Sequence, residues 1–364
     1  VHSSLYERIK RIMAYTTISN HKSQFSVKNY TGNGTDNTAI TGVGHQPSII
    51  WSKNMTDAGT NHYFIDAVRG VTKRTYTSSS SAEGTDATLL KSFDSDGFTL
   101  GDGSINQSGK SFISYLWKGG TTSGITTNGT TMITPSSYSF NQTNGMSIIK
   151  WAGNGVDNSY IPHGLGKAPK MIWVKALGLS EDWQVYAEGA GNQGRGWLSY
   201  SNTWSTGRGE WGSFTPDTVN FRVSNDSHMN ASGSDYIAYC FADITGYQKI
   251  LSWTTNGESD PNAPFLYCGF SPKFFLLWNI SNGGRQGIVD IFNAPFNPNG
   301  KVLYPHSTNA IATTGDYACD LVSNGIKVRA NATSNINHTD GNIYVALAIG
   351  QTLVGSNNIP ATAR

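Results

Sequence analysis

The sequence is poor in charged residues and lacks helical periodicity. Charged residues make up 14% of the 364 positions, whereas an average globular protein carries roughly 25%. No long window places apolar residues at the three- and four-residue spacing of an amphipathic helix, which excludes the α-helical fold classes. Hydrophobic residues still make up 37% of the chain and aromatic residues 12%, so we expect folded cores rather than a disordered chain.

Cysteines and long apolar runs are also scarce. The three cysteines, Cys240, Cys268 and Cys319, form an odd set without metal-binding spacing. We therefore expect buried free thiols, with neither a disulfide framework nor a metal site. No apolar run approaches the length that crosses a bilayer, and no signal-peptide pattern is present, so we expect no membrane insertion. The formal net charge of +2 is spread along the chain, which argues against a nucleic-acid partner.

What the sequence does contain is a threefold internal repeat. Each copy opens with a strand-like run and an Asn-Gly loop, continues with a proline and an apolar strand, and closes with an asparagine and a second apolar strand. The openings are Tyr30-Thr31-Gly32-Asn33-Gly34, Trp151-Ala152-Gly153-Asn154-Gly155 and Trp253-Thr254-Thr255-Asn256-Gly257. The prolines are Pro47, Pro169 and Pro272, and the closing asparagines are Asn106, Asn230 and Asn337. Such repetition predicts a surface built from similar units rather than one catalytic cleft.

The fold class follows from the period-two runs that Gly, Asn or Pro residues bound throughout the chain, such as residues 147–151. They predict an all-β protein of three tandem antiparallel β-sandwich domains of lectin-like or jelly-roll-like type, with a barrel as the alternative. The predicted organisation is an N-terminal extension (1–22), repeat 1 (23–118), a Thr/Ser/Gly-rich linker (119–144), repeat 2 (145–245), repeat 3 (246–350) and an extended C-terminal tail (351–364).

The first twelve residues differ in composition from everything that follows. They are rich in charge, free of glycine and weakly helical. We interpret Met13 as the start and the earlier residues as an addition, with a short docking arm as the alternative.

Short motifs give little support for catalysis. The Gly-Asn-Gly triplets lack the following helix and lysine of a phosphate-binding loop, and Asn-Gly pairs are typical of tight turns. His45 and His163 occupy similar points of repeats 1 and 2, where we predict a role in turns. No Gly-x-Ser-x-Gly elbow or histidine-rich zinc helix occurs. We therefore predict a protein that is not an enzyme, with no catalytic residue, no metal and no cofactor.

An aromatic and basic cluster in repeat 2 is the candidate recognition site. Aromatic faces stack on sugar rings while polar neighbours bond to the hydroxyl groups, so this composition is typical of glycan binding. The alternative, that these tryptophans belong to the core, is favoured for Trp183 and Trp197 and stays open for Trp204 and Trp211. The predicted ligand-binding residues are Trp183, Arg195, Trp204, Arg208 and Trp211, with Trp197 and Tyr200 beside them.

Several segments of the chain are distinctive in combination: the Tyr-Thr-Gly-Asn-Gly opening and residues 13–18, 66–70, 92–98, 236–242 and 359–364. Together they resemble a family of tandem-repeat virion proteins, tail-fibre-like or decoration proteins, encoded by marine tailed bacteriophages, including those of cyanobacteria and pelagic bacteria. The resemblance covers residues 13–364 and starts at Met13. It implies a virion component located on the particle exterior.

These observations lead to a functional hypothesis. We expect a non-enzymatic bacteriophage structural protein, most simply a tail-fibre or receptor-binding component that contacts a host-surface glycan. The first alternative is a capsid decoration protein that binds other virion proteins, and the second is a glycan-degrading tail spike. We also expect a homo-oligomer, with a trimer as the first prediction from fibre architecture.

Overall fold

The computed structural model describes residues 20–350, except 193, 206–210, 212–213, 284–285 and 331–332, together with residues 16 and 18. Repeat 1 contains β1 (Phe25–Thr31), β2 (Thr38–Thr41), β3 (Ile49–Asn54), β4 (His62–Asp66), β5 (Lys73–Tyr76), β6 (Gly84–Thr85), β7 (Leu90–Asp94), β8 (Gly97–Leu100) and β9 (Ser111–Trp117). Repeat 2 contains β10 (Ser137–Asn141), β11 (Met146–Ala152), β12 (Ser159–Pro162), β13 (Met171–Ala176), β14 (Gln184–Ala187), β15 (Gly196–Trp197), β16 (Asn220–Val223) and β17 (Asp235–Phe241). Repeat 3 contains β18 (Gln248–Asn256), β19 (Phe265–Tyr267), β20 (Pro272–Asn279), β21 (Gln286–Asp290), β22 (Lys301–Val302), β23 (Ala312–Thr313), β24 (Cys319–Val322), β25 (Gly325–Val328) and β26 (Asp340–Gly350). The helical elements in the described residues are three single 3₁₀ turns, His21–Ser23, Glu188–Ala190 and Gly315–Tyr317.

Each repeat folds into a large and a small antiparallel sheet. The large sheets have the orders β1-β9-β3-β4-β5-β6, β10-β11-β17-β13-β14-β15 and β18-β26-β20-β21. The small sheets have the orders β2-β8-β7, β12-β16 and β19-β25-β24, and β22 pairs with β23. In each repeat the last long strand lies between the strand that leads into the Asn-Gly loop and the strand that follows the proline, as β9 does between β1 and β3 and β17 between β11 and β13. The predicted all-β, antiparallel fold class is confirmed.

The central strands of the large sheets are buried on both faces. Every residue of β3, β13 and β20 is buried, because one face of each large sheet packs on its own small sheet and the other face packs on the other repeats. Successive side chains of a strand point to opposite faces. In β3, accordingly, Ile50 belongs to the outer core beneath the small sheet, whereas Ile49 and Trp51 belong to the core between repeats.

The three repeats share one central core. Trp51 and Trp173 meet edge to face with ring centroids 6.0 Å apart, and Tyr115 of repeat 1 meets Phe274 of repeat 3 at 5.1 Å. Such edge-to-face contacts suit the quadrupoles of aromatic rings. Ile18, from the segment assigned to the N-terminal extension, also belongs to this core. Each repeat therefore has an outer core of its own, while the three large sheets enclose the central one together.

Polar side chains cross the central core in a cyclic pattern. The Tyr115 hydroxyl of repeat 1 donates to the Asp290 carboxylate of repeat 3 at 2.8 Å. The equivalent Tyr239 of repeat 2 donates to Asp66 of repeat 1 at 2.7 Å. Repeat 1 thus contacts repeat 3, and repeat 2 contacts repeat 1, which is the order expected of an approximate three-fold arrangement.

A second set of contacts joins the repeats in the same cyclic order and comes from the neighbouring strands β3, β13 and β20. Lys53 of β3 donates from its ammonium group to Thr308 O in repeat 3 at 3.2 Å, and Lys175 of β13 donates to Ser80 O in repeat 1 at 3.1 Å. Register places Trp278 of β20 at the equivalent position, and its indole donates to the main chain of repeat 2, at Trp197 O, at 3.1 Å. These three donor groups are buried, and a buried donor without an acceptor is costly. The contacts therefore fix the positions of the repeats relative to one another.

The closing asparagine of each repeat holds the opening loop. The Asn106 side chain accepts a hydrogen bond from Asn33 N at 3.0 Å and donates to Thr35 O at 2.9 Å. Asn230 makes the equivalent contacts in repeat 2, with Asn154 N at 3.1 Å and Val156 O at 3.0 Å. The loop glycines Gly34, Gly155 and Gly257 have φ of 68°, 66° and 65°, where glycine is favoured. The predicted loop role of the Asn-Gly pairs is confirmed.

The linker assigned to residues 119–144 is in part a strand. Its end forms β10, which pairs along β11 and extends the large sheet of repeat 2. Tyr138 of β10 packs against the outer core of that repeat. Sequence composition alone did not predict this strand, because Ser, Thr and Asn occur both in linkers and on the edge strands of sheets.

The remaining sequence-based expectations divide into two groups. Cys240, Cys268 and Cys319 are free and buried, as predicted. Residues 1–15, including Met13, and the tail 351–364 lie outside the described residues. Within the part of the chain that the structure describes, no helix is long and apolar enough to span a membrane.

Candidate functional site

The tryptophans predicted to bind ligand lie in the cores. Trp183 is fully buried, and Trp204 and Trp211 are 5% and 3% exposed. A ring stacks on a sugar only if one of its faces is accessible, so these three side chains do not form the predicted surface. The interpretation of Trp183 as a core residue is correct, and the same holds for Trp204 and Trp211, for which it had stayed open.

Trp183 and Trp204 join the repeats, whereas Trp211 packs against Tyr186 in the outer core of repeat 2. The Trp183 indole donates to Tyr76 O of repeat 1 at 2.8 Å. Trp204 packs against Trp278 of repeat 3 with centroids 6.4 Å apart, and its main-chain nitrogen donates to Ile280 O at 3.2 Å. These three tryptophans of the Gly- and Ser-rich stretch therefore pack in the core of repeat 2 and at its junctions with repeats 1 and 3, and they do not form a binding loop.

The other residues of the predicted glycan-binding cluster do not form a binding surface in repeat 2 either. Arg195 is buried, with its guanidinium 5.2 Å from the ring of Trp197. Tyr200 is exposed, and its ring meets Trp197 edge on at 6.3 Å. Arg208 lies outside the described residues. The structure brings Arg195, Trp197 and Tyr200 together, but only Tyr200 offers substantial ring surface to solvent.

A different aromatic pair is exposed, on β19 of repeat 3. Phe265 is 45% exposed and Tyr267 is 56% exposed, whereas Leu266 between them is 4% exposed and belongs to the outer core. Because side chains alternate along a strand, the two rings share the outward face and the leucine anchors the strand from below. We call Phe265 and Tyr267 the aromatic platform. Single exposed apolar side chains are common, but two large rings on one three-residue strand form a contiguous patch.

Gly325 gives the Phe265 ring its position. Register places Gly325 opposite Tyr267 on the neighbouring strand β25. A Cβ atom at residue 325 would lie 2.2 Å from Leu266 O and 2.9 Å from Cζ of Phe265. The absence of a side chain at this position therefore lets the ring extend across β25 beside Tyr267.

Two lysines flank the aromatic platform. The Lys249 ammonium lies 5.2 Å from the centroid of the Tyr267 ring and donates to Tyr267 O at 3.0 Å. Lys327, opposite Phe265, donates to Pro261 O and Ala263 O at 2.7 Å and 2.6 Å. Lys249 thus places a hydrogen-bond donor at one end of the platform, and Lys327 ties down the loop at the other end.

The turn between β24 and β25 adds further polar groups. Ser323 and Asn324 are exposed in this turn, and Asn324 O accepts hydrogen bonds from Cys268 N and Gly269 N at 3.0 Å and 3.1 Å. The turn is therefore held against the residues that follow Tyr267. Hydroxyl and amide side chains beside two rings provide the donors and acceptors that a polyhydroxylated ligand requires.

Repeats 1 and 2 have no such platform at the equivalent positions. Register aligns Phe265 and Tyr267 with Ala39 and Thr41 of β2. In repeat 2 the equivalents are Tyr160, which packs against Phe214 with centroids 4.9 Å apart, and the buried Pro162. The three repeats thus share a scaffold but differ in the surface that this strand presents. The sequence analysis missed the platform because the sequence Phe-Leu-Tyr is equally compatible with a fully buried strand. Only the comparison with Ala39 and Thr41 at the equivalent positions of repeat 1 could have indicated that the two rings are exposed.

Two carboxylate pairs bear on the alternative of glycan cleavage. Glu181 and Asp226 both contact His228, at 2.9 Å and 2.5 Å. The contact with His228 lowers the pKa of Asp226 to about 2. Asp260 and Asp320 both form ion pairs with Arg329. These contacts raise the pKa of Arg329, and the hydrogen bond to Asp320 contributes most to that rise. A glycosidase needs one carboxyl group that holds its proton near neutral pH. The depressed pKa of Asp226 does not suit that role.

Metal binding has no candidate site among the described residues, where no group of three His, Cys, Asp or Glu side chains could hold an ion. The aromatic platform is therefore the surface with the best-defined recognition chemistry.

Comparison with known proteins adds a family without an assigned activity. The chain belongs to the family described as domain of unknown function DUF7483, whose model matches residues 20–350. No curated protein and no solved structure matches the chain. The matched range contains all three repeats, which is consistent with the central core that they share.

Proposed function

We propose that this member of the DUF7483 family is a non-enzymatic bacteriophage virion protein that binds a host-surface glycan through the aromatic platform of its third repeat. The observation that carries the binding proposal is the pair of exposed rings, Phe265 and Tyr267, on a strand anchored by Leu266. The virion setting and the exterior location rest on the resemblance of several sequence segments to phage tandem-repeat proteins.

The platform supplies both kinds of contact that a sugar uses. The apolar face of a pyranose ring packs on an aromatic face, and hydroxyl groups bond to polar side chains at its edge. Lys249, Ser323 and Asn324 provide that polar edge. Because β19 is fixed by pairing with β25 and by the buried leucine, little ordering of the protein is required on binding.

Weak sites would gain strength from repetition between chains. A homo-oligomer, with a trimer as the specific proposal, would present several platforms at once and convert later contacts into intramolecular ones. The other partners in this proposal are neighbouring virion proteins, which would hold the chain on the particle.

The first test replaces both rings. We expect the double variant Phe265→Ser/Tyr267→Ser to lower adsorption to host cells about tenfold or more, since losing 1.4 kcal/mol of binding free energy has that effect. The matched control is Tyr200→Ser, because Tyr200 is 54% exposed but lies in repeat 2. Thermal unfolding of both variants verifies that the fold is kept. Unchanged adsorption in the double variant would refute the glycan-binding proposal.

The same exposed rings would also suit a protein partner, which favours capsid decoration as the second candidate function. Cryo-electron microscopy of the particle separates the two. Density at the distal tail or fibre tips supports receptor binding, whereas density spread over the capsid lattice with the platform covered supports decoration. Release of reducing ends from host polysaccharide would instead support the glycan-degrading spike and contradict the non-enzymatic assignment.

A further inference from the structure

A lysine-lined groove lies between repeats 1 and 3, away from the aromatic platform. It has a volume of about 500 Å³, and β1 forms one wall while the loop after β21 contributes to the other. The Asn29 side chain donates to Phe292 O across the groove at 3.4 Å. The side chains that matter here are Lys22, Lys28, Lys273, Asn29, Ile291 and Phe292.

None of the three lysines has a carboxylate within ion-pair distance among the residues that the structure describes. Other lysines of the chain do have one: Lys91 meets Asp36 and Lys110 meets Asp57, each at 2.9 Å. Three lysines that line one groove, with no carboxylate within ion-pair distance, make its potential positive, and charges in a partly enclosed space are screened less than on open surface.

Lys273 is the buried member of the set. It is 5% exposed, and its ammonium donates to Phe25 O at 2.7 Å. An ammonium group has three N–H donors, and this carbonyl is the acceptor that the described residues supply. Burial, with a smaller contribution from the charge of Lys22, lowers the pKa of Lys273 to about 7. A buried cation of this kind is costly unless a partner of opposite charge is present.

The acidic residue that influences the groove is Asp96. Its carboxylate already accepts hydrogen bonds from Gly42 N at 3.0 Å and Gly44 N at 2.5 Å. These backbone contacts, with the charges of Lys22 and Lys28, lower its pKa. The nearby His45 is buried, and its Nδ1 contacts Lys22 O at 2.8 Å. Burial lowers the pKa of His45 to about 4, so this ring is neutral near pH 7 and does not change the sign of the potential.

We propose that this groove binds the oxyanion of a small ligand, a carboxylate or phosphate group attached to a partly apolar body. The oxyanion would contact the ammonium groups of Lys22, Lys28 and Lys273. Ile291 and Phe292 would pack against the apolar part of the ligand, since Phe292 is one of the exposed aromatic rings. The site stands independently of the glycan-binding role of the aromatic platform, because it is formed by other residues at another junction.

The test uses two defined probes, inorganic phosphate and benzoate, a carboxylate on an apolar ring, titrated into the full chain by calorimetry at low ionic strength. Binding of either probe supports the oxyanion site and identifies the group it prefers. We expect Lys22→Gln and Lys28→Gln each to weaken binding about tenfold, the effect of losing one charge-assisted hydrogen bond. The control is Lys301→Gln, which makes the same charge change at an exposed lysine outside the groove. Absence of binding by both probes, or equal weakening by Lys301→Gln, overturns the proposal.

A proton-linkage measurement tests the buried lysine. A bound anion favours the charged form of Lys273, so binding of the carboxylate probe, which stays ionised at pH 7 to 8, should take up part of a proton there. This uptake is seen as a heat that depends on the ionisation enthalpy of the buffer. Lys273→Met should abolish this uptake in protein that keeps its thermal transition. If Lys273→Met does not fold, Lys28→Gln still decides whether the anion binds in the groove. Binding that is equally tight in Lys273→Met and in the unmodified chain would exclude contact with Lys273 and overturn the three-lysine site.

Discussion

Two of the three junctions between repeats are closed by a tyrosine–aspartate pair, and the third is not. Tyr115 donates to Asp290, and Tyr239 donates to Asp66. Register places Leu347 of repeat 3 at the tyrosine position and Ala187 of repeat 2 at the aspartate position. The donor and the acceptor are thus both missing from the same junction. A buried hydroxyl or carboxylate without its partner costs more than an apolar pair, so the two positions have to be polar together or apolar together.

The two aspartates also differ from each other. Asp66 is paired with the buried Arg69, whose guanidinium also reaches Glu83 at 3.3 Å. Burial alone would lower the pKa of Arg69, and the charge of Asp66 more than offsets this, so the pKa lies above its usual value. Asp290 is held by Tyr115, Asn293 and main-chain N–H groups, and burial raises its pKa. One junction therefore depends on a buried ion pair, and the other on neutral donors around a carboxyl group.

The largest expected effect is that of Asp66→Ala. Removing one member of a buried ion pair leaves Arg69 largely uncompensated, and we expect a loss of about 3–5 kcal/mol in the free energy of unfolding. Asp290→Ala removes a hydrogen-bond acceptor but no ion-pair partner, so we expect about 1–3 kcal/mol. Urea denaturation of both variants measures the difference. Equal losses would mean that the Arg69 pair contributes nothing specific.

The second prediction concerns acid, which should act through buried histidines whose pKa burial lowers, among them His45 and His163 of repeats 1 and 2 and His306 of repeat 3. The neutral His163 ring accepts from Leu165 N at 3.2 Å through Nδ1 and faces Asp217 O at 3.0 Å through Nε2. Burial lowers the pKa of His163 to about 4, against 6.5 for the unfolded chain. The unfolded chain therefore binds more protons between those values, and the stability contributed by neutral His163 is lost as pH falls from about 6.5 to 4.

That loss reaches about 3 kcal/mol for a shift of this size, at 1.36 kcal/mol per pKa unit. We expect His163→Gln to flatten the dependence of unfolding free energy on pH across this window, and His45→Gln to do so independently. Repeat 3 has Cys268 and Ser271 in the matching stretch and no histidine there. Denaturation series at pH 7, 5.5 and 4.5 provide the measurement. An unchanged slope in both variants would contradict the assignment of acid sensitivity to these rings.

The smallest expected effect concerns the junction that lacks a tyrosine–aspartate pair. Leu347→Tyr alone should cost about 1–3 kcal/mol, because the larger ring and its hydroxyl enter a packed core without an acceptor. Adding Ala187→Asp supplies the acceptor, and we expect a favourable coupling of about 0.5–3 kcal/mol in the double-mutant cycle. The matched control pairs Leu347→Tyr with Ala238→Ser, since Ala238 lies in the outer core of repeat 2. Coupling no larger than in this control would show that the two positions do not meet.

Much of the fold could be predicted from the sequence, but little of the candidate site. Alternation and turn residues predicted the antiparallel strands, and the repeated asparagines Asn106, Asn230 and Asn337 marked where each repeat closes. The aromatic composition of repeat 2 predicts ligand binding by Trp183, Trp204 and Trp211, but the side chains of all three are buried. Local sequence reports which rings are present, whereas exposure depends on which other repeat packs against them.

The sequence by itself determined the strand pattern, the threefold repetition and the loops at Gly34, Gly155 and Gly257, because these depend on backbone conformations and on side-chain alternation within a few residues. Only the tertiary structure decided that the large sheets share one core, that Phe265 and Tyr267 face solvent, and that Lys22, Lys28 and Lys273 line one groove. Burial and electrostatic potential are properties of surfaces brought together from distant parts of the chain, so the order of residues within one segment does not specify them.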